Sequence, residues 1–374
     1  MGSRRLGGRE QRLAYSRGMS QYRIAVIGGD GVGPEVVAAG MGVLDTAASG
    51  FSLAWEHLPW GSDHHARTGA LMPDDGLRTL AGHDAIYLGA VGSPAVPDHV
   101  TLWGLLLPIR QRFDLYLNIR PIRLLPGVAT PLAGRGPADI DMVCVRENTE
   151  GEYAGAGGRV HVGMGHEVGL QVDVFTRHGV ERVVRHAFGL ARGRRGRLAS
   201  ITKSNASPHH FVMWDEIVEV VHADFPDVEL DRLLVDAACA YMVSQPARFD
   251  VMVASNLFGD VLTDIGAAIQ GGMGLAASAN AAPDGAGPGP GLFEPVHGSA
   301  PDIAGHGIAN PIGAVWAGAM LLDHLGEGKA AARVMGAIEA VLGGDGPRTP
   351  DLGGTASTSE VGDELVRAVG SGSQ

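Results

Sequence analysis

An α/β fold on a parallel or mixed sheet is expected of this chain, on three observations. Short apolar runs of strand type alternate with segments of helical period. Charged residues recur where those runs end, as they do around ligand sites in open sheets. The chain, at 374 residues, exceeds the usual size of one hydrophobic core, so two domains or one large α/β unit are expected. A composition of 45% hydrophobic and 19% charged residues suits such a core.

Residues 1–20 carry Arg4, Arg5, Arg9, Arg12 and Arg17 but no apolar stretch, which predicts a mobile tail rather than a signal peptide. Residues 22–27 predict a strand, followed by a glycine-rich turn and a helix over about 34–48 with Pro34 near its first position. Residues 85–90 predict a second strand. A helix is predicted over 102–113, then strands over 115–120, ending at Arg120, and over 141–145, with Arg146 just after. Residues 159–174 alternate Val with polar residues and predict an antiparallel excursion, an arm. Strands at 198–202 and 230–235 are each followed by a helical pattern, and Lys203 and Asp236 stand at their ends. A further strand at 250–254 leads into a helix from Ser255. Residues 281–291 are rich in Pro and Gly and predict a loop.

Several classes are excluded. The net charge of −12 argues against a general nucleic-acid partner, which needs a basic surface. A run of about 18 apolar residues able to span a bilayer is lacking, so no membrane partner is expected and the location is expected to be cytoplasmic. Cys144 and Cys239 sit in apolar runs without metal-site spacing, as buried free thiols do. Gly29-Asp-Gly-Val-Gly33 lacks the third glycine of the dinucleotide fingerprint, because Pro34 occupies that place. The loop is either a tight turn or a close approach to a ligand.

The chemistry begins with Asp260 and Asp264, four residues apart and so on one helix face. Two carboxylates that close repel unless a cation sits between them, and oxygen-only ligands select a hard ion such as Mg2+ or Mn2+. Such a pair near a helix start also occurs as a solvated face favoured by the helix dipole. Arg110, Arg120 and Arg146 each belong to or follow an apolar element, and planar guanidinium groups bind carboxylates bidentately. Tyr153, in the polar loop after Arg146, could donate a proton or simply pack. Only two lysines occur, Lys203 and Lys329; lysine, unlike arginine, can give up its proton near neutral pH. Asp302, in the loop from Glu294 to Gly305, could accept from a ribose hydroxyl and would repel a 2′-phosphate, or could be an ordinary turn residue.

Taken together, Gly29-Asp-Gly-Val-Gly33, Asn118-Ile-Arg-Pro121, Arg146-Glu-Asn-Thr-Glu-Gly-Glu-Tyr153, Thr202-Lys-Ser-Asn205, Val235-Asp-Ala237, Asn256-Leu-Phe-Gly-Asp-Val-Leu-Thr-Asp264 and Glu294-Pro-Val-His-Gly-Ser-Ala-Pro-Asp-Ile-Ala-Gly305 resemble the metal-dependent β-decarboxylating dehydrogenases of (R)-hydroxyacids. That family includes the isocitrate, 3-isopropylmalate, homoisocitrate and tartrate/D-malate dehydrogenases. The resemblance runs from about residue 22 to 355, in order and with compatible spacing. It implies a two-domain α/β fold with a mixed sheet, distinct from the Rossmann fold. The larger, cofactor-binding domain would comprise residues 20–115 plus 271–374, and the smaller domain residues 116–270, with an arm near 159–175.

The resemblance also implies a homodimer with shared active sites. Asp260 and Asp264 would hold the metal with Asp236 of the second subunit. Arg110, Arg120 and Arg146 would bind the carboxylates of a small dicarboxylate substrate, Tyr153 would donate a proton, and Lys203 of the second subunit would be the base. NAD would lie against Glu294, His297, Gly298, Ser299, Ala300, Asp302, Ile303 and Asn310, with Asn205 near the nicotinamide; K+ is a further candidate ion. Residues 100–110 are apolar and bulky, with no Ser or Asn to hold a third carboxylate. Like residues 91–98, they look specifically like the tartrate/D-malate branch. D-malate is the expected substrate, tartrate a second, and 3-isopropylmalate the alternative. A catalytically silent regulatory relative is the rival without enzymatic activity. One departure is Gly28, where relatives commonly have proline.

Overall fold

The computed structural model describes residues 20–283 and 287–371. The tail expected at residues 1–20 lies outside these but for Ser20. Twelve strands are formed among the described residues: β1 (Ser20–Gly29), β2 (Phe51–His57), β3 (Ala85–Ala90), β4 (Leu117–Arg123), β5 (Asp141–Glu147), β6 (Gly151–Val160), β7 (Val168–Val174), β8 (Arg197–Thr202), β9 (Glu229–Leu234), β10 (Val251–Ala254), β11 (Ala277–Ala281) and β12 (Gly291–Pro295). Ten of them make one mixed sheet in the order β2-β1-β3-β12-β11-β4-β5-β10-β8-β9. The expected α/β fold with a mixed sheet, outside the Rossmann pattern, is the one observed.

The sheet consists of two parallel blocks, β2-β1-β3-β12 and β5-β10-β8-β9, joined through antiparallel pairings of β11 and β4. Every residue of β3, β10, β11 and β12 is buried, because helices cover both faces; β3 and β10 are accordingly continuous apolar runs. The helix Ile312–His324 is apolar almost all round and is buried accordingly. The helix Arg177–Arg192 instead buries one stripe, Val180, Val183, Val184, Ala187, Phe188 and Ala191, and Thr176 caps it by accepting from the Gly179 amide. Two apolar clusters gather around β1, β3 and β12, and two others around β5, β8 and β10.

Three local expectations are refined. The predicted helix over 102–113 contains a π-helical turn at Leu102–Leu106 before the α-helix Leu107–Arg112; Pro108 has no N–H to donate back into the preceding turn, and the helix widens there. Arg120 and Arg146 lie within β4 and β5 rather than at their ends. Asp236 does not close a strand but opens the helix Val235–Ser244. β2, β11 and β12 were not expected as strands; β11 is Ala-, Ser- and Asn-rich, which hides its strand character.

β6 and β7 form a separate two-stranded antiparallel hairpin, which contains the alternating segment at 159–174. Its apolar residues face outward: Val160 is 50% exposed, Leu170 61% and Val172 51%.

The glycine-rich turn after β1 packs on neighbouring backbone. Gly31 has φ +58°, and a Cβ there would lie 1.9 Å from the Ser299 carbonyl oxygen, which accepts from the Val32 amide at 2.9 Å. Gly31→Ala therefore combines left-handed strain with a backbone clash. It is expected to cost about 1–3 kcal/mol, read as a lowered urea midpoint; an unchanged midpoint would refute the packing argument.

Candidate active site

The register of the central strands builds the site. Asn118 lies opposite Asn280 on one side and Arg146 on the other, and Arg120 lies two residues further along β4. Directly opposed and alternate residues share a face, so β4, β5, β11 and β12 present Asn118, Arg120, Arg146, Ser278, Asn280 and Glu294 together. Arg110 approaches from the helix Leu107–Arg112.

All three arginines are buried. Arg110 donates to Glu294 Oε1 at 2.8 Å, while its Nε finds no partner. Arg120 donates through Nε to Asn118 Oδ1 at 2.8 Å and through a terminal nitrogen to Thr263 Oγ1 at 2.7 Å. Arg146 donates to Asn256 Oδ1 at 3.0 and 2.7 Å and pairs with Asp260. Gly259 makes room for it, since a Cβ there would fall 2.6 Å from the Arg146 side chain. Burial, then the charge of Arg120, pushes the Arg146 guanidinium down to about 10. Such crowding of like charge suits a site that receives anions.

Asp260 and Asp264 lie on the helix Asn256–Ile269, capped by Ser255. Glu152 reinforces the cap, accepting from Ser255 Oγ at 2.8 Å and the Leu257 amide at 3.1 Å. Although burial opposes it, Arg146, Arg120 and Arg110 hold the Asp260 carboxyl below its ordinary range. Burial and then the charge of Asp260 push Asp264 up. That repulsion is what a cation between the two would relieve, and the oxygen-only donors fit Mg2+ or Mn2+. Among the described residues no three His, Cys, Asp or Glu side chains of one chain gather as a metal set. Asp236 stands instead beside Lys203, whose Nζ donates to its Oδ1 at 2.7 Å; that bond holds the Asp236 carboxyl below its usual range.

Tyr153, in β6, donates its hydroxyl to Asp260 Oδ2 at 3.1 Å, with the Arg146 guanidinium 5.4 Å from its ring centre. Burial, then Asp260, raises the phenol and keeps its proton in place. The acids of the loop before it hold backbone. Glu147, pushed up to about 7 by burial, accepts from the Thr149 and Glu150 amides. Glu150 accepts from the amide and hydroxyl of Thr176.

Glu294 lies in β12, one residue before its end, and its Oε1 is occupied by Arg110 and, at 2.9 Å, Asn280. His297 bonds through Nδ1 to the Gly298 carbonyl at 2.9 Å; its Nε2 is buried without a partner, and burial holds the ring below its ordinary range. His297 lines two clefts at once. One contains Leu102, Leu106, Arg110, Arg120 and Glu294; the other contains Val32, Ala300, Ile303, Asn310 and Asp351. A ligand with two ends could pass between them, and the unpartnered Nε2 of His297 offers it a polar contact, so the lining fits a nicotinamide dinucleotide. Asn310 donates to Asp351 at 2.9 Å. Gly298 and Asp302 are exposed, Ser299 is half-buried, and Asn205 is exposed in the turn after Lys203.

Asn118, Asn256, Thr263 and Asn280 were not among the residues expected from the sequence. For Asn118 and Asn280 the available signal was an asparagine inside a strand, where it is unfavourable unless bonded; Asn256 and Thr263, on a helix, offered none.

Residues 23–365 match the family model of isocitrate/isopropylmalate dehydrogenase. A protein of Agrobacterium vitis named as a probable tartrate dehydrogenase/decarboxylase is 51% identical over 355 residues, 94% of this chain and 98% of that one. The D-malate dehydrogenase (decarboxylating) of Escherichia coli K12 is 51% identical over 361 residues, 94% and 99% of the two chains. The crystal structure of isocitrate dehydrogenase from Methylococcus capsulatus superposes with a TM-score of 0.85 at 36% identity, covering 93% of this chain and 99% of that one. With the fold, the arginine and aspartate cluster and these likenesses in agreement, the chain belongs to the isocitrate/isopropylmalate dehydrogenase family and stands nearest its tartrate/D-malate branch.

Proposed function

We propose that this protein oxidatively decarboxylates a small (R)-2-hydroxy diacid, converting D-malate to pyruvate and CO2 with reduction of NAD, and accepts tartrate as a second substrate. The observation that carries the reading is the convergence of Arg120 and Arg146 on Asp260, with the Tyr153 hydroxyl on the same carboxylate and Arg110 near enough to lower that carboxyl by its charge. The reading further takes the active site to be shared, Lys203 and Asp236 coming from the second subunit to meet Asp260 and Asp264. The outward apolar residues of the β6–β7 hairpin support a homodimer, and the separate apolar clusters support a division into residues 20–115 plus 271–374 and residues 116–270.

In this reading the three arginines offset the substrate's negative charge and fix which carboxylate stands on the carbon that will lose it. A divalent cation held by Asp260, Asp264 and Asp236 of the second subunit would supply Lewis-acid polarisation of the C2 oxygen. NAD, against His297, Gly298, Ser299, Ala300, Ile303 and Asn310, would accept the hydride from C2. Lys203 takes the C2 hydroxyl proton as that hydride leaves, giving a 2-oxo acid. The carboxylate on C3 then departs as CO2, and Tyr153 returns a proton to C3. Asp302, exposed and acidic, disfavours a 2′-phosphate and so favours NAD over NADP.

The choice of a four-carbon diacid rests on the likeness to the tartrate/D-malate branch and on Leu102 and Leu106, which line the cleft beside Arg110 and Arg120 and offer no charge to a third carboxylate. The test is a panel of D-malate, L- and meso-tartrate, 3-isopropylmalate and isocitrate with NAD and Mn2+. D-malate is expected to exceed 3-isopropylmalate and isocitrate in kcat/KM by roughly tenfold or more, with activity lost in EDTA and restored by Mn2+. Preference for 3-isopropylmalate, or better use of NADP, would overturn the corresponding part.

A further inference from the structure

We propose that Asn118 and Asn280 are positioning residues that fix the separation of Arg110 and Arg120; this rests on the reading that those arginines bind the substrate carboxylates. β4 and β11 meet through three residue pairs, Ala279 with Ile119, Asn280 with Asn118 and Ala281 with Leu117. The asparagine pair is the middle one, at the junction of the two parallel blocks. Both side chains are fully buried, in strands that asparagine disfavours, so their bonds must compensate a sizeable desolvation.

Those bonds form one directed chain. Arg120 Nε donates to Asn118 Oδ1 at 2.8 Å, and Asn118 Nδ2 donates to Asn280 Oδ1 at 2.7 Å. Asn280 Nδ2 donates to Glu294 Oε1 at 2.9 Å, and Arg110 donates to that same oxygen at 2.8 Å. Branches satisfy the remaining positions: Asn118 Nδ2 also reaches Ser278 Oγ at 2.9 Å, Asn280 Nδ2 the Leu292 carbonyl at 3.1 Å, and Asn148 Nδ2 donates to Asn280 Oδ1 at 3.0 Å. Asn280 thereby uses both donors and both acceptor positions.

Every amide in the chain is oriented from guanidinium toward carboxylate, so each polarises the next. Arg110 comes from a helix and Arg120 from a strand in the other half of the sheet, yet the chain ties them through four bonds. A diacid that must reach both arginines depends on their separation, and a misplacement of about 1 Å can cost on the order of a hundredfold.

The test compares Asn118→Ala and Asn280→Ala with wild type in the full-length protein, using the best hydroxyacid of the panel, NAD and Mn2+. Each variant is expected to raise KM for the hydroxyacid about tenfold or more and to leave KM for NAD within about twofold. Asn118→Ser, a milder change, covers an alanine variant that fails to fold, and is expected to raise the same KM by roughly threefold or more. Unchanged hydroxyacid KM in a folded variant overturns the proposal, as does an equal rise in both KM values, which a merely structural role would give. Wild-type protein that turned over none of the acids would overturn the functional reading and this inference with it, a result distinct from the other two.

Discussion

Lys203→Met is expected to reduce turnover by about a thousandfold or more, equivalent to about 4 kcal/mol in the barrier, while leaving the folded protein nearly as stable as before. The two halves of that expectation have different physical origins. The Lys203–Asp236 pair is open to solvent on the Asp236 side, with side-chain exposures of 28% and 67%, so its contribution to stability is screened and small. Methionine keeps the length and apolar stem of lysine, so packing changes little. What disappears is the group proposed to take a proton from the C2 hydroxyl, and a general base contributes about a hundred- to ten-thousandfold. Single-turnover hydride transfer at saturating substrate measures the effect. A loss within about tenfold, only about 1.4 kcal/mol, would remove Lys203 from the role of base.

The same pair illustrates what the sequence made legible. Lys203 and Asp236 were recognisable as chemistry because each stands where a strand-type run ends, and one is among only two lysines in the chain. That they touch required the parallel pairing of β8 with β9, which brings Thr202 beside Leu234. Asp260 and Asp264 were legible from helical spacing alone. The arginines were legible as residues but not as a cluster, because their convergence depends on the antiparallel register of β4 with β5 and on β11. The strand β11 escaped notice because Ala, Ser and Asn carry little β propensity, and β12 because it is short and bounded by Gly291 and Pro295; tertiary burial, not local preference, makes them strands. With them went Asn280 and the true partner of Glu294. The acids Glu147, Glu150 and Glu152 read as a polar loop, whereas in the fold each accepts backbone or hydroxyl hydrogens that hold the loop or a helix start. Long-range pairings of this kind leave no periodic trace in a sequence.

Asp260→Asn should abolish activity by about a thousandfold or more and also lower stability, a combination that sets it apart from Lys203→Met. Asp260 accepts from Tyr153 at 3.1 Å, lies 3.3 Å from Arg120 and pairs with the fully buried Arg146. Asparagine matches its volume but presents an N–H2 where the carboxylate offered a second acceptor, and it leaves two guanidinium groups without their counter-charge. The Asp260 side chain is 35% exposed, so solvent screening keeps the stability cost to about 1–2 kcal/mol, readable as a lower urea midpoint. Mn2+ binding, followed by electron paramagnetic resonance without substrate, should weaken at least about tenfold. Unchanged Mn2+ affinity would remove Asp260 from the metal set. Because Lys203 and Asp260 are proposed to meet across the dimer, mixing the two inactive variants under conditions that exchange subunits gives heterodimers in which one site receives both native residues. Activity should therefore return toward a quarter of the wild-type level, half the dimers being mixed and each holding one intact site, by counting of randomly reassorted subunits. No recovery after demonstrated subunit exchange would mean that Lys203 and Asp260 serve within one chain, and the shared-site reading would fall.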